Sequence, residues 1–244
     1  MKILVIIPTY NEAQSIPAVI AGLLSLPFDL HLLVVDDNSP DGTSGVVKEI
    51  NSDRVHILDR PEKLGLGAAY RAGFTWGLAE PTFTHFVTMD GDGSHRWQDF
   101  APLIEQAEEA DVVLGTRWMP GGRIENWPKY REFISRIGTF YARWALKMPL
   151  RDLTGGFRVY SVRLLQRIRI EAITSDGYCF QIEMIRAADA ADGTFAEEPI
   201  TFVERELGKS KMSRRIVREA LVKVTLWAIR TRIGNNADKV HYVK

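Results

Sequence analysis

The chain of 244 residues has a single cysteine, Cys179, and no apolar run as long as the roughly 18 residues that a membrane-spanning helix needs. The first shortage excludes an intramolecular disulfide and a zinc site built from several cysteines, and makes a reducing, cytoplasmic setting the expected one. The second leaves nothing to anchor the chain by crossing a bilayer. The start, MKILVIIPTYNE, turns acidic too soon for a secretory signal. Repeats, low-complexity tracts and long linkers are also absent. At 45% hydrophobic and 25% charged residues, the chain can bury one large core.

Nor is there an excess of either charge, but the balance is uneven along the chain. Residues 1–120 carry 8 Lys and Arg against 17 Asp and Glu, a net charge of −9, and residues 121–244 carry 23 against 14, a net charge of +9. An acidic half suits a metal-bound ligand. A basic half suits phosphates, an anionic membrane surface or nucleic acid.

What is present is alternation. KILVII (2–7) and LHLLVV (30–35) read as strands buried on both faces, and between them Ile16, Val19, Ile20, Leu23 and Leu24 fall at helical spacing, with Pro17 in the first turn. The pattern continues with helix 43–50, strand 55–58, helix 67–78, strand 85–89, helix 97–107 and strand 112–114. This predicts an α/β fold with a Rossmann-like, mostly parallel central sheet flanked by helices, and ligands at the carboxyl ends of the strands. PTYNE, DDNSPDG, DGDGSH and GTRW all fall at such ends. Beyond residue 119 come a Gly- and Pro-rich loop, an amphipathic helix over 130–146 with Phe133, Ile134, Ile137, Tyr141 and Trp144 on one face, a glycine turn (LTGGFR), a helix over 180–190, a strand over 199–204, a GKSK loop and a basic amphipathic helix over 214–232.

VTMDGDGSH (87–95) sets two carboxylates one glycine apart just past a strand. Like charges that close raise each other's pKa unless a cation neutralises them, and hard oxygen ligands with few protein contacts suit Mg²⁺ or Mn²⁺ held partly by a substrate's phosphates. The alternative is a surface turn in which Asp and Gly merely bend the chain. Asp36 and Asp37, at the end of the second strand, are placed to meet a ribose or base edge, while Ser39 and Asp41 are expected to shape the turn. GLGAAYRAG (65–73) contains G-x-G but follows no first strand, so a dinucleotide site is rejected and its glycines are assigned to close helix packing.

PTYNE (8–12), VVDDNSPDGT (34–43), KLGLGAAYRAGF (63–74), MDGDGSH (89–95), GTRWMPGG (115–122), NWPKYREFIS (126–135), LTGGFRVY (153–160), GYCFQIEM (177–184) and ERELGKSKMS (204–213) together resemble the polyprenol (dolichol) phosphate mannosyltransferases, GT-A fold enzymes of glycosyltransferase family 2, in particular the actinobacterial group. The likeness covers nearly the whole chain in order. It implies a single GT-A domain with a nucleotide-sugar half (1–118) and an acceptor half (119–244) carrying amphipathic helices. It implies that Pro8, Tyr10, Glu12, Val35 and Asp37 hold the guanosine of GDP-mannose, that Asp90 and Gly91 lie against the nucleotide sugar, and that Asp92 ligates Mg²⁺ or Mn²⁺. Ser94 stands where relatives often have a second metal-contacting Gln. Arg117, Arg131 and Ser135 would receive the lipid phosphate, with Arg205 and Lys211 reaching the diphosphate or acceptor from a loop that also carries Gly208 and Ser210. Many relatives read DADLSHHP or DADLQHPP where this chain reads DGDGSHRW, so its metal loop is the more flexible. Some also place a Lys near Cys179.

The chemistry of the residues agrees. A phosphate monoester with a second pKa near 6 is largely dianionic at neutral pH, so the acceptor needs no general base. The enzyme must instead bring two anions together, with Arg and Lys on the acceptor side and a cation on the leaving diphosphate. Solvated helix charges remain the alternative for Arg131 and Arg136, and His95 either orients the metal loop or makes a structural hydrogen bond. The 214–232 helix can pack on the protein's own core or lie in a membrane interface. With a lipid substrate, peripheral association at the cytoplasmic face of the cell membrane is expected, and recruitment by an integral membrane partner is left open. Three rivals are weighed: transfer of glucose from UDP-glucose, a non-catalytic membrane adaptor, and nucleic-acid binding, which lacks a motif here. A processive polysaccharide synthase would need QxxRW, and FYARW (140–144) has Phe140 in place of Gln.

Overall fold

The computed structural model describes residues 1–204, 214–232 and 237–244. The first half alternates as expected: β1 (Lys2–Thr9), α1 (Ile16–Leu24), β2 (Asp29–Asp36), α2 (Thr43–Lys48), β3 (Val55–Asp59), α3 (Leu66–Leu78), β4 (His85–Thr88), α4 (Phe100–Gln106) and β5 (Val112–Thr116). α1 carries Pro17 in its first turn, where a missing N–H costs nothing. The helix expected over 97–107 is divided into a 3-10 turn (Trp97–Asp99) and α4, in keeping with Pro102, which is tolerated only near a helix start.

Along β1 the side chains divide by period two. Ile3, Val5 and Ile7 join one core with Val19, Ile20 and Leu23 of α1 and Phe100 and Leu103 of α4, while Leu4 and Ile6 join a second core on the other sheet face with Tyr70 and Phe74 of α3. Burying each such side chain contributes about 1.5–3 kcal/mol. α3 lies close on the sheet because it presents glycines: a Cβ on Gly73 would come 2.4 Å from Ile6 Cγ2, and one on Gly77 would come 2.6 Å from Leu4 Cδ2. The packing role read for the 65–73 glycines holds for Gly67 as well, where a Cβ would lie 2.3 Å from the Ser175 carbonyl oxygen, and extends to Gly77.

The second half supplies β6 (Arg123–Glu125), α5 (Lys129–Leu146), β7 (Arg158–Ser161), α6 (Val162–Leu165), α7 (Gly177–Ala190), β8 (Phe195–Pro199), β9 (Thr201–Val203), α8 (Arg214–Arg232) and α9 (Ala237–Tyr242). The sheet runs β3-β2-β1-β4-β7-β5-β8, parallel except for β7, which is antiparallel to both neighbours. β6 and β9 form a separate two-stranded sheet. The strand expected over 199–204 is β9; ahead of it β8, which was not expected, pairs with β5 on the sheet edge, and the chain then leaves that sheet to pair with β6. β7 had no counterpart in the sequence reading, because RVYS is short and follows a glycine turn without its own boundary signal. It carries Arg158, fully buried, whose Nη1 donates to the Gln181 carbonyl at 2.6 Å and whose Nη2 donates to the Leu153 carbonyl at 2.7 Å. One side chain therefore ties β7 to α7 and to the preceding turn.

α5 faces the opposite way from what its apolar residues suggest. The small residues Thr139, Ala142 and Ala145 are turned inward, whereas Tyr130, Phe133, Ile137, Phe140 and Trp144, at spacings of three and four, are 68%, 65%, 51%, 69% and 61% exposed. α8 packs beside it, with Tyr141 Oη and Thr225 Oγ1 2.6 Å apart, and adds the exposed Leu221, Val222, Leu226 and Ile229. Among the described residues, no helix is long and apolar enough to cross a membrane.

Candidate active site

The carboxyl ends of β1, β2, β4 and β5 bring the expected turns together. Pro8 and Thr9 lie beside Val35 and Asp36 in the β1–β2 register. Asp36 is consumed by the fold: its carboxylate accepts from Thr9 Oγ1 at 2.8 Å, Ser39 Oγ at 2.6 Å and Ser39 N at 2.8 Å. Ser39 and Asp41 are structural, as expected, with Asp41 accepting from the Thr43 hydroxyl at 2.6 Å and from Ala13 N at 3.0 Å. Asp37 is 4% exposed; burial pushes its carboxyl up, and the Arg60 guanidinium at 2.5 Å together with Gly65 N at 3.2 Å only partly offsets this. The Val35 side chain belongs to the core, so only its backbone is available to a ligand. Tyr10 has Lys63 Nζ 3.6 Å from its ring centroid, and Glu12 accepts from Ser15 Oγ, which also donates to the Gly91 carbonyl at 2.9 Å. That bond ties the PTYNE turn to the DGD turn.

Within the DGD turn, Gly91 allows a close approach, since a Cβ there would lie 3.1 Å from both Ile7 Cγ2 and Thr9 Cγ2, and Gly93 has a φ of 79°, which favours glycine. Asp92 Oδ1 accepts from Ser94 N at 3.0 Å. The backbone N–H of Asp90 donates to His95 Nδ1 at 3.0 Å, so the neutral imidazole carries its proton on Nε2. The ring is 2% exposed and packs between Phe157 and Phe202. His95 thus makes a structural hydrogen bond that also orients the loop.

The donors of this turn suit a divalent cation. Asp90 and Asp92 offer hard oxygens, and Ser94 Oγ is buried without a hydrogen-bond partner among the described residues, an orphan that a cation or its water would satisfy. No cluster of three or more His, Cys, Asp and Glu assembles among the described residues. Two carboxylates and one hydroxyl leave coordination positions to fill, so the set fits an ion held in part by a substrate's own oxygens.

Arg117, just past β5, is 6% exposed and is gripped by Asp152: Nε donates to Oδ2 at 2.7 Å and Nη2 to Oδ1 at 2.9 Å. Burial pushes the Asp152 carboxyl up, but the Arg117 charge and its hydrogen bonds win and hold it below the ordinary range. The same Asp152 accepts from Thr154 N and Gly155 N, and a Cβ on the next residue, Gly156, would sit 3.5 Å from Asp90 Oδ1. One turn, 152–156, therefore links the acidic loop to the buried arginine. Around Arg117 stand the rings of Trp118, Trp127 and Phe202, 5.4, 5.8 and 5.5 Å from its guanidinium carbon.

Arg131 stacks over Trp127 at 4.1 Å and is ion-paired through Nη1 with Glu204. Ser135 lines a cavity of about 90 Å³ with Arg117, Trp127, Thr154, Ile134, Tyr141, Ile182 and Val224. Arg117 and Ser135 thus share one cavity, and Arg131 adjoins it through Trp127. Arg136 is the solvated one: it is 62% exposed and pairs with Glu132 one turn earlier. Arg205 and Lys211, with Gly208 and Ser210, lie outside the described residues. Trp127, Asp152, Glu204 and Gln181 were missed by sequence reasoning. Trp127, Gln181 and Glu204 lie within the segments that carry the family resemblance but received no role there, and Asp152 lies outside them, one residue before LTGGFR. Gln181 is 2% exposed, with neither carboxamide atom partnered among the described residues. Tyr70 Oη is another orphan in this region; burial, and then Asp90, push its pKa well up.

A family model described as Glycosyl transferase family 2 matches residues 4–169. The polyprenol monophosphomannose synthase of Mycolicibacterium smegmatis is 43% identical over 236 residues, covering 95% of this chain and 89% of that one. The undecaprenyl-phosphate mannosyltransferase of Micrococcus luteus is 45% identical over 234 residues, covering 95% and 96%. Among solved structures, glucosyl-3-phosphoglycerate synthase from Mycobacterium tuberculosis, in complex with Mn²⁺, UDP-glucose and phosphoglyceric acid, is similar with a TM-score of 0.67 at 17% identity, covering 93% of this chain and 79% of that one. A mannosyltransferase from Pyrobaculum calidifontis in complex with GDP-Man and Mn²⁺ is similar with a TM-score of 0.64 at 20% identity, covering 94% and 64%.

Proposed function

The chain belongs to glycosyl transferase family 2, as an enzyme with the GT-A fold, and from that premise we propose that it transfers mannose from GDP-mannose to a polyprenyl phosphate at a membrane surface. The observation that carries this reading is the 152–156 turn, which runs from a buried arginine lining an apolar-walled cavity to the neighbourhood of the acidic loop. A phosphate on a hydrocarbon tail needs both features in one place. The names of the two relatives and the GDP-Man complex of the structural neighbour support the donor and acceptor classes.

In this reading residues 1–118 bind the nucleotide sugar and 119–244 bind the acceptor, to which Arg117, at the end of the first half, also contributes. Pro8, Tyr10, Glu12, Asp37 and the Val35 backbone hold the guanosine, and Asp90 and Gly91 meet the sugar diphosphate. Asp92, with Ser94 beside it, holds Mg²⁺ or Mn²⁺, which when bound supplies positive charge to the departing diphosphate. Arg117, held by Asp152 and Thr154, supplies positive charge to the acceptor phosphate, and Arg131 and Ser135 complete that contact. The phosphate oxygen, already deprotonated, attacks the anomeric carbon opposite the leaving group, so the product is inverted. The exposed aromatic stripe of α5 and the apolar residues of α8 rest on the cytoplasmic face of the membrane, which keeps the tail out of water.

The test is transfer to a short polyprenyl phosphate from labelled GDP-mannose and UDP-glucose in parallel, each with Mg²⁺ and with EDTA, in the wild type and Asp92→Ala. Product from GDP-mannose alone, lost in EDTA and in the variant, is expected. Product from UDP-glucose alone would overturn the named sugar, and near-normal turnover by Asp92→Ala at ordinary Mg²⁺ concentration would overturn the metal assignment.

A further inference from the structure

Gln181 lies in the second turn of α7, at the base of the acidic loop. Leaving a buried amide without partners costs about 1–3 kcal/mol per group, and a methionine would fill a similar volume without that penalty. Its backbone carbonyl is used by Arg158, but nothing among the described residues uses its carboxamide. The carboxamide instead faces Gly156, beside Asp90 and His95. A methyl group built on Gly156 would lie 3.3 Å from His95 Cε1, 3.5 Å from Asp90 Oδ1 and 3.6 Å from Gln181 Nε2. Gly156 and His95 are both held in place: Thr88 Oγ1 donates to the Gly156 carbonyl at 2.7 Å, and His95 is held by Asp90 N. Gly156 is not among the glycines with positive φ, so its backbone does not demand glycine, and a side chain there would come between the Gln181 carboxamide, His95 and Asp90.

We propose that Gln181 reads the transferred sugar: its carboxamide offers one donor and one acceptor to neighbouring hydroxyls of the hexose, in a niche over Gly156 shared with Asp90. This rests on the glycosyl-transfer reading above. The site then rejects a sugar that cannot satisfy both atoms, because a buried amide would be left unpaired. It acts on the sugar and not on the nucleotide, which separates its signature from that of Asp37 or Glu12.

Gln181→Met and Gly156→Ala test this, the second by filling the niche with a methyl that meets only near-contact distances. Both are compared with the wild type in GDP-mannose transfer, in GDP binding by calorimetry and in thermal unfolding. The expected result is a fall of about 100-fold in kcat/KM, corresponding to two lost hydrogen bonds, with GDP affinity within about twofold of the wild type and the melting temperature of Gln181→Met unchanged or raised. If the wild type prefers another sugar nucleotide, the same comparison is made with that donor and its nucleoside diphosphate; the named sugar then falls and the niche is still judged. Retained kcat/KM in Gln181→Met overturns the proposal while leaving the transfer reading intact. Parallel loss of stability and GDP affinity overturns it in favour of a structural role. A wild type that transfers from no sugar nucleotide overturns both.

Discussion

Adjacent carboxylates in this chain have separate fates, set by what each meets. Asp36 is saturated by Thr9 and Ser39, whereas Asp37 faces Arg60 and the start of α3. Asp111 is a third case. Burial pushes its carboxyl up, but hydrogen bonds from Arg163, Ser161 and Thr194 outweigh this and hold it at about 2. A depressed folded pKa means that the unfolded chain binds more protons between the two values. The stabilisation is therefore full above an ordinary Asp pKa near 4 and is lost as pH falls toward about 2. Asp111→Asn is expected to cost about 2 kcal/mol at neutral pH, with the difference from the wild type shrinking in urea unfolding as pH drops from about 4 to about 2. Glu204 gives a different expectation. It neutralises the arginine proposed to receive the acceptor phosphate, so Glu204→Gln should lower the acceptor KM about fivefold with GDP affinity unchanged, as measured by initial rates and calorimetry.

Among the elements, α5 inverts the usual rule by packing its small residues and exposing its rings. Replacing Phe140 and Trp144 together by Glu is expected to leave the melting temperature within a few degrees of the wild type, because these side chains are 69% and 61% exposed. The same variant should lose at least tenfold in co-sedimentation with anionic lipid vesicles; retained binding would assign the membrane contact elsewhere. Period two in β1 and β2 and helical spacing in α1 and α3 made the first half legible, since both sheet faces are covered there. β7 and β8 were not legible in the same way, because their partners are set by distant strands rather than by their own pattern. The 130–146 helix was visible as amphipathic, but hydropathy alone does not say which face meets the protein.

For the whole molecule, the motifs located the turns at the strand ends, and those turns do converge. What the motifs did not contain was the linkage: Asp152 under Arg117, and Glu204 against Arg131, come from positions far from their partners in sequence. The charge asymmetry follows the same division. The acidic half supplies the turns at the carboxyl ends of β1, β2 and β4, and the basic half supplies Arg131 and α8, which gather with Arg117 around the cavity.

The position of β7 also has a consequence for biosynthesis. A ribosome releases β4 and β5 well before residues 158–161, yet these two strands are neighbours only through β7. Until that short strand emerges, the edges of β4 and β5 that it will occupy stay unpaired and invite association with other chains. Polypeptides stalled with only residues 1–118 exposed should therefore be cut rapidly by protease and held by chaperones. Those exposed beyond β8 should gain resistance in one step, so the antiparallel strand acts as the closing stitch of co-translational folding.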